Sequence, residues 1–360
     1  MSEGLIFRDA LGDQADIGSD VRVEGSDRTS PFVTIAITTY KRPDLLRESI
    51  RSALDQDFDR PVEIAVFDND PESSGAAALL DHMPELATRN FRYIVNAGNL
   101  GVFGNFNRCI TMARAPWLTI LQDDDLLDPA YLRLMFDEID AHPTTDGIVC
   151  LKRFFGGRDE GEAAPVAPMS RSLLLGSLRS SAGRRALAGR VVGRLFAEGS
   201  YRGRASRPIA PGKFFWGAVL GNGSGFLFRV DTAREVGGFY AEEYPSADLW
   251  FFARFAMRGH LRQHRAILAG IRRTEGSISE NTVFDQLEKG YRLQYLLAGS
   301  AAPRWYRRLL PGMIAHYRAD FEREWGVSAS AVELERTLGI RLPPHRPRLH
   351  AALRLLLGGN

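Results

Sequence analysis

"WLTILQDDDLLDP", Trp117–Pro129, runs a short apolar stretch straight into Asp123, Asp124 and Asp125. Like charges at contact distance repel, and burial makes the repulsion worse. The apolar part reads as a buried strand, so its acidic end either sits in water or is built to meet a cation. The aspartates also suit the start of the helix expected near Pro129, because acids favour helix N-termini. The same texture recurs upstream. "FVTIAIT" (Phe32–Thr38), "VEIAVFD" (Val62–Asp68) and "FRYIVN" (Phe91–Asn96) are β-branched and aromatic runs bounded by polar residues. Helical spacing fills the intervals. "RPDLLRESIRSALDQ" puts Leu45, Leu46, Ser49, Ile50 and Ala53 on one side, with Pro43 in the first turn, and "AAALLDHM" and "GNFNRCITMA" follow as helices. Alternating strands and helices predict right-handed crossovers and a parallel sheet covered on both faces. Ligands of such sheets bind beyond the carboxyl ends of the strands. Thr38–Arg42, Asp68–Asp70 and Asp123–Asp125 all fall at those ends, and their shared position favours a cation site at the aspartates over a helix cap.

Composition bounds the rest. The chain has 360 residues, 44% of them hydrophobic, enough for one large domain or two smaller ones. A formal charge of +2 gives no global field for nucleic acid, and no nucleic-acid partner is expected. The basic residues are nearly all arginine, with Lys41, Lys152, Lys213 and Lys289 the only lysines. Cys109 and Cys150 make no disulfide scaffold, which suits a reducing cytoplasm. The N-terminus lacks the basic and apolar regions of a signal peptide, and no apolar run approaches the roughly 20 residues of a membrane span. Residues 1–30, acidic and without periodicity, read as a flexible leader, and 31–155 as the sheet just described. Residues 156–211 carry ten arginines against four acids between Arg158 and Arg207, with leucines at helical spacing. They predict an arginine-rich helical insertion that covers the sheet, a lid or peripheral membrane contact being the alternative. Strand texture returns over 212–285, and 286–360 read as a helical C-terminal region.

In an extended segment alternate side chains share a face, which pairs Asp123 with Asp125. Two carboxylates at a strand end suit Mg²⁺ or Mn²⁺, because such an ion needs few protein ligands when substrate phosphates complete its shell. Other phosphate sites fail. No G-x-x-x-x-G-K-[ST] loop exists, and "GNLGVFG" spaces Gly98, Gly101 and Gly104 by three, unlike a dinucleotide loop.

Taken in order, "VTIAITTYKRPDLLRESIRSAL", "IAVFDND", "NAGNLGVFGNFNRCI" and "LTILQDDDLLDP" resemble the nucleotide-sugar half of family 2 glycosyltransferases. "GSGFLFRVDTAREVGGF" and "SADLWFFARFAMRG" resemble their acceptor half. The likeness spans about residues 32–280 and implies the α/β GT-A fold: a nucleotide-binding sheet flanked by helices, here with an inserted helical segment and a helical C-terminal region. It implies an inverting, metal-dependent transferase. The partners would be a nucleoside-diphosphate sugar donor and a glycan or glycolipid acceptor, in surface polysaccharide synthesis in the cytoplasm or at the inner face of a membrane. Thr38 and Tyr40 would flank the base, and Arg42 would lie near the phosphates or ribose. Asp68 and Asn69 would form the base-reading pair, and Asn107 would contact the donor. Asp125 would bind the metal and Asp124 the ribose. Asp248 would be the catalytic base, although an aspartate there also suits the start of the helix that follows. Arg272 and Arg273 would suit phosphate oxygens, and Trp216 is a candidate platform for the acceptor. Asn69 replaces a second acid found in many uridine-donor relatives, which keeps thymidine and guanosine donors in play. Gln122 likewise stands where many relatives carry an acid. The alternatives are a catalytically silent nucleotide-sugar-binding module and a nucleotidyltransferase, though the latter would want a glycine-rich basic loop that "TTYKRPD" does not supply.

Overall fold

In the computed structural model the described residues are 8–73, 75–156, 203–209, 223–258 and 260–273, with eight isolated positions further on. Most of the arginine-rich insertion, Trp216 and nearly all of the C-terminal region lie outside them. Ten strands form one sheet. In chain order the elements are β1 (Ser19–Glu24), β2 (Val33–Thr39), α1 (Pro43–Leu54), β3 (Val62–Asp68), α2 (Gly75–His82), β4 (Phe91–Asn96), α3 (Gly101–Met112), β5 (Trp117–Gln122) and β6 (Leu126–Leu127). There follow α4 (Tyr131–Ala141), β7 (Gly147–Phe155), β8 (Ser206–Pro208), β9 (Phe226–Arg229), α5 (Val230–Glu235), α6 (Ala247–Met257) and β10 (Leu261–Arg272). The strand order is β1-β4-β3-β2-β5-β9-β7-β10-β6, with β8 beside β10.

Strands β4, β3, β2 and β5 are parallel, as the strand–helix alternation predicts. Every residue of β2 is buried, because helices cover both faces. Val33, Ile35 and Ile37 enter one core cluster and Ala36 the other, so the alternation appears as a choice between two cores. Strand β9 runs antiparallel between β5 and β7, which returns β7 and β10 to the direction of β5. The carboxyl ends of β2, β3, β4, β5, β7 and β10 therefore share one edge.

Residues 8–30 depart from the expected leader. Ser19–Glu24 pairs antiparallel with β4 along the sheet edge. Ahead of it, Ala10 is 1% exposed and donates its N–H to the Gly237 carbonyl. The segment lacks apolar periodicity because an edge strand is held by backbone hydrogen bonds, which leave its polar side chains in water. No helix among the described residues is long and apolar enough to cross a membrane.

Candidate active site

The acidic motif is a turn. β5 ends at Gln122, the Asp123 N–H donates to the Thr38 carbonyl, and the Asp125 N–H donates to the Gln122 carbonyl, each at 3.1 Å. Behind it, the buried Ser49 hydroxyl of α1 lies 2.8 Å from the Asp123 carbonyl and 2.7 Å from that of Asp125. Ser49 is on the buried side of α1 because it grips this turn. The backbone being held, the carboxylates diverge. Asp123 leans toward β2, where its Oδ2 accepts the Thr39 hydroxyl at 2.7 Å and its Oδ1 lies 3.6 Å from the Arg42 guanidinium. Asp125 leans toward β9 and β10, accepting the Ser224 hydroxyl at 2.6 Å and the Arg272 N–H at 3.1 Å. Asp124 accepts a hydrogen bond from Arg42 at 2.9 Å. The pairing of Asp123 with Asp125 on one face is therefore corrected: alternation requires an extended chain, and the strand stops one residue before the first aspartate.

The electrostatics follow from burial. Asp123 is pushed up to about 6, chiefly by desolvation, with the Thr39 hydroxyl pulling the other way. Arg272 lies across the turn, its Nε donating to the Asp124 carbonyl at 3.1 Å while its guanidinium meets Glu48 and stacks on Phe155. Arg273 stacks on Phe154 nearby. Among the described residues no three His, Cys, Asp or Glu side chains converge on a point that would cage a metal. A divalent cation shared with a diphosphate needs only one or two carboxylates, and Asp125 with Asp124 beside it is a donor set of that kind.

Two asparagines have other work. The Asn69 amide donates to Asn99 Oδ1 and the Gly101 carbonyl, and its oxygen accepts from Asn96 Nδ2 and the Leu100 N–H. An amide has two donor hydrogens and two acceptor lone pairs, so this one is full and has nothing left to read a base. It fixes the turn between β4 and α3 instead. Asn107 donates to the carbonyls of Ala10 and Phe239 and accepts the Phe239 N–H at 2.8 Å, pinning two distant segments to α3. Asp68 is buried, with one oxygen taking the Tyr93 hydroxyl at 2.6 Å and the other the Asp70 N–H at 3.0 Å. Asp68, Asn69 and Asn107 thus each hold protein partners in this structure, where the resemblance implies contacts to the nucleotide. Thr38 is 8% exposed at the end of β2, whereas Tyr40 at 43% and Arg42 stand at the open edge.

Asp248 sits in the first turn of α6, its Oδ1 accepting the Leu249 N–H at 2.8 Å. Burial raises it to about 6, and Lys152 on β7 opposes the rise. It is the one charged side chain among the described residues lining an apolar pocket whose walls include Phe106, Ile120, Phe226, Phe239 and Phe252. Thr39, Ser49, Lys152 and Ser224 belong to this site and escape the sequence reading. Ser224 lies in the motif "GNGSG", but nothing local says that its hydroxyl meets a residue 99 positions earlier.

Comparison with known proteins agrees with this geometry. The family model "Glycosyl transferase family 2" matches residues 34–193. The succinoglycan biosynthesis protein ExoO of Rhizobium meliloti is 33% identical over 111 residues, 31% of this chain and 30% of that protein. An uncharacterized glycosyltransferase of Methanocaldococcus jannaschii is 31% identical over 107 residues, 29% of this chain and 36% of that protein. The matched stretch thus spans about a third of these relatives' length. The crystal structure of S. aureus TarS 1-349 in complex with UDP-GlcNAc superposes with a TM-score of 0.56 at 14% identity, covering 85% of this chain and 78% of that one. At that identity the likeness is one of fold, a mixed α/β sheet flanked by helices as in GT-A glycosyltransferases.

Proposed function

We propose, from the premise that residues 34–193 belong to glycosyltransferase family 2, that this chain moves a sugar from a nucleoside-diphosphate sugar to a hydroxyl of a glycan or glycolipid, with inversion. One observation carries the reading: Asp125 and Asp248 come from distant parts of the chain, yet the Ser224 hydroxyl binds Asp125 while its neighbour Gly223 lines the pocket that holds Asp248. In this reading Asp125 would hold the diphosphate end of the donor and Asp248 would activate the acceptor.

In the proposed reaction the Asp248 carboxylate accepts the proton of the acceptor hydroxyl, and the acceptor oxygen forms a bond to the anomeric carbon. The bond from that carbon to the diphosphate oxygen breaks, and its electron pair leaves with the diphosphate. Tyr40 flanks the base of the nucleotide. Arg42, exposed and paired with Asp124, exchanges that carboxylate for ribose or phosphate oxygens. A Mg²⁺ or Mn²⁺ held by Asp125, with Asp124 beside it, would offset charge on the departing diphosphate. The phenylalanine-lined pocket around Asp248 keeps water from competing with the acceptor. Asn69 is consumed by the scaffold, so it does not argue against uridine, and UDP joins GDP and dTDP as donor candidates. The name of ExoO suggests work in polysaccharide synthesis. Buried free thiols at Cys109 and Cys150 accord with a reducing cytoplasm.

Thermal unfolding of the full chain with UDP, GDP or dTDP, each with and without Mn²⁺ or Mg²⁺, tests the proposal. One nucleotide should raise the midpoint by a few degrees, as mass action requires of a ligand that binds only the folded state. Asp125→Ala should remove the metal-dependent part of the rise. Asp248→Asn should keep the rise and lose turnover. If no nucleotide moves the midpoint, the proposal is wrong.

A further inference from the structure

We infer that Lys152 is a direct ligand of the donor's diphosphate, placed between the acidic turn after β5 and the carboxylate of α6 to take up the negative charge left by the departing sugar. The inference rests on the function proposed above and adds a residue that neither the sequence motifs nor the family resemblance singles out.

The placement comes from three neighbours. Lys152 lies near the carboxyl end of β7, which shares its edge of the sheet with β5 and β10. Its ammonium stands 5.8 Å from the centroid of the Phe252 ring. Phe252 is one helical turn beyond Asp248, so the two share a face of α6, and both line the same pocket. On the other side the stem passes Gly225, where an added Cβ would come within 3.5 Å of Lys152 Cε and 2.7 Å of Cys150 Sγ. Gly225 has φ +80° and directly follows Ser224, whose hydroxyl binds Asp125. Lys152 thus has on one side Phe252, which shares a helix face with Asp248, and on the other Gly225, which follows the Ser224 that binds Asp125. Burial lowers its pKa to about 8, against the pull of Cys150, Asp248 and Asp125.

Charge balance gives this cation its task. Asp123, Asp124, Asp125 and Asp248 contribute four carboxylates, and Arg42 neutralises part of that charge at the outer rim. A diphosphate adds further negative charge, and charge develops on its terminal oxygen as the bond to the sugar breaks. Lys152 keeps its proton throughout and donates a hydrogen bond to that oxygen, while the acceptor's proton goes to Asp248. A purely structural lysine would neutralise Asp125 and take no part in binding phosphate.

The test compares wild type, Lys152→Met and Lys152→Arg as full chains. Each is titrated with UDP, GDP and dTDP and with the matching nucleosides. For the nucleotide that binds, Lys152→Met should weaken diphosphate affinity at least tenfold and nucleoside affinity less than twofold, and Lys152→Arg should recover most of the loss. Equal losses for diphosphate and nucleoside, or none for either, overturn the inference. Lysine labelling of the wild type gives a readout that needs no variant, because the chain has only Lys41, Lys152, Lys213 and Lys289. The bound diphosphate, and not its nucleoside, should protect Lys152 from reductive methylation; unchanged labelling overturns the inference. If the wild type binds no nucleotide, the proposed function fails first and this inference with it. If it binds and Lys152 is indifferent, this inference alone fails.

Discussion

Asp248 owes its raised pKa to desolvation, and in the proposed role of base it would work only when ionised. Protonation below about pH 6 therefore removes the active form, so kcat/KM should rise with pH through that value and then level off. Asp248→Asn keeps an acceptor for the Leu249 N–H but cannot take a proton, so it should abolish this acidic limb and cost roughly 10²- to 10⁴-fold in rate. A limb that survives the substitution, measured as transfer rate against pH, would assign the base elsewhere. At this scale the sequence is an uneven guide. An aspartate at the end of a buried run advertises itself, because charge at such a place requires a reason. An asparagine does not, since the same amide reads a base when exposed and closes a turn when its hydrogen bonds are filled, as at Asn69 and Asn107. Which way three successive carboxylates lean is equally hidden, because it depends on partners at Thr39, Ser224 and Arg272 from three other strands or their flanks.

Between β3 and β4, Glu63 and Arg92 form an ion pair whose side chains are 0% and 3% exposed, joined by the Thr34 hydroxyl and the Met112 carbonyl. Removing Arg92 leaves the buried Glu63 with only the more distant Arg114 guanidinium, at 3.9 Å, to balance its charge. Arg92→Met should destabilise the chain by about 3–5 kcal/mol, and adding Glu63→Leu should recover part of the loss. Urea unfolding midpoints check both, and a single variant as stable as wild type would show that the pair is dispensable. The turn after α5 makes a second demand. Gly237 has φ +79°, and a Cβ there would lie 1.7 Å from the Arg8 carbonyl oxygen. Gly237→Ala must strain the backbone or expel residues 8–10, costing more than about 1 kcal/mol. Thermal melting combined with limited proteolysis near residue 8 reads both effects, and an unchanged midpoint with an intact N-terminus would refute the account.

The N-terminal segment connects parts of the molecule that are far apart in sequence. Arg8 pairs with Asp13 and Glu242, its backbone N–H donates to the Tyr240 hydroxyl, Ala10 binds Gly237, and β1 closes the edge of β4. Deleting residues 1–24 should lower the melting midpoint and increase light scattering on heating, because the bared β4 edge offers unpaired backbone groups to other chains. A truncated chain that melts and scatters like the full one would make the segment ornamental. The likeness to GT-A structures is one of fold, a mixed α/β sheet flanked by helices, in which β9 here runs antiparallel between β5 and β7. The sequence by itself determined the alternating strands and helices, the parallel core and the edge where polar clusters collect, because periodicity and β-branched runs are local properties. It also marked the run Asp123–Asp125, because charge beside apolar residues stands out in a string of letters, whereas Asp248 is implied by the family resemblance alone. Only the tertiary structure decided that residues 19–24 are a strand, that Asn69 and Asn107 are braces, and that the Lys152 ammonium meets the Phe252 ring. Each of these depends on which distant segments become neighbours, and no local pattern encodes the partner of a hydrogen bond that spans a hundred residues.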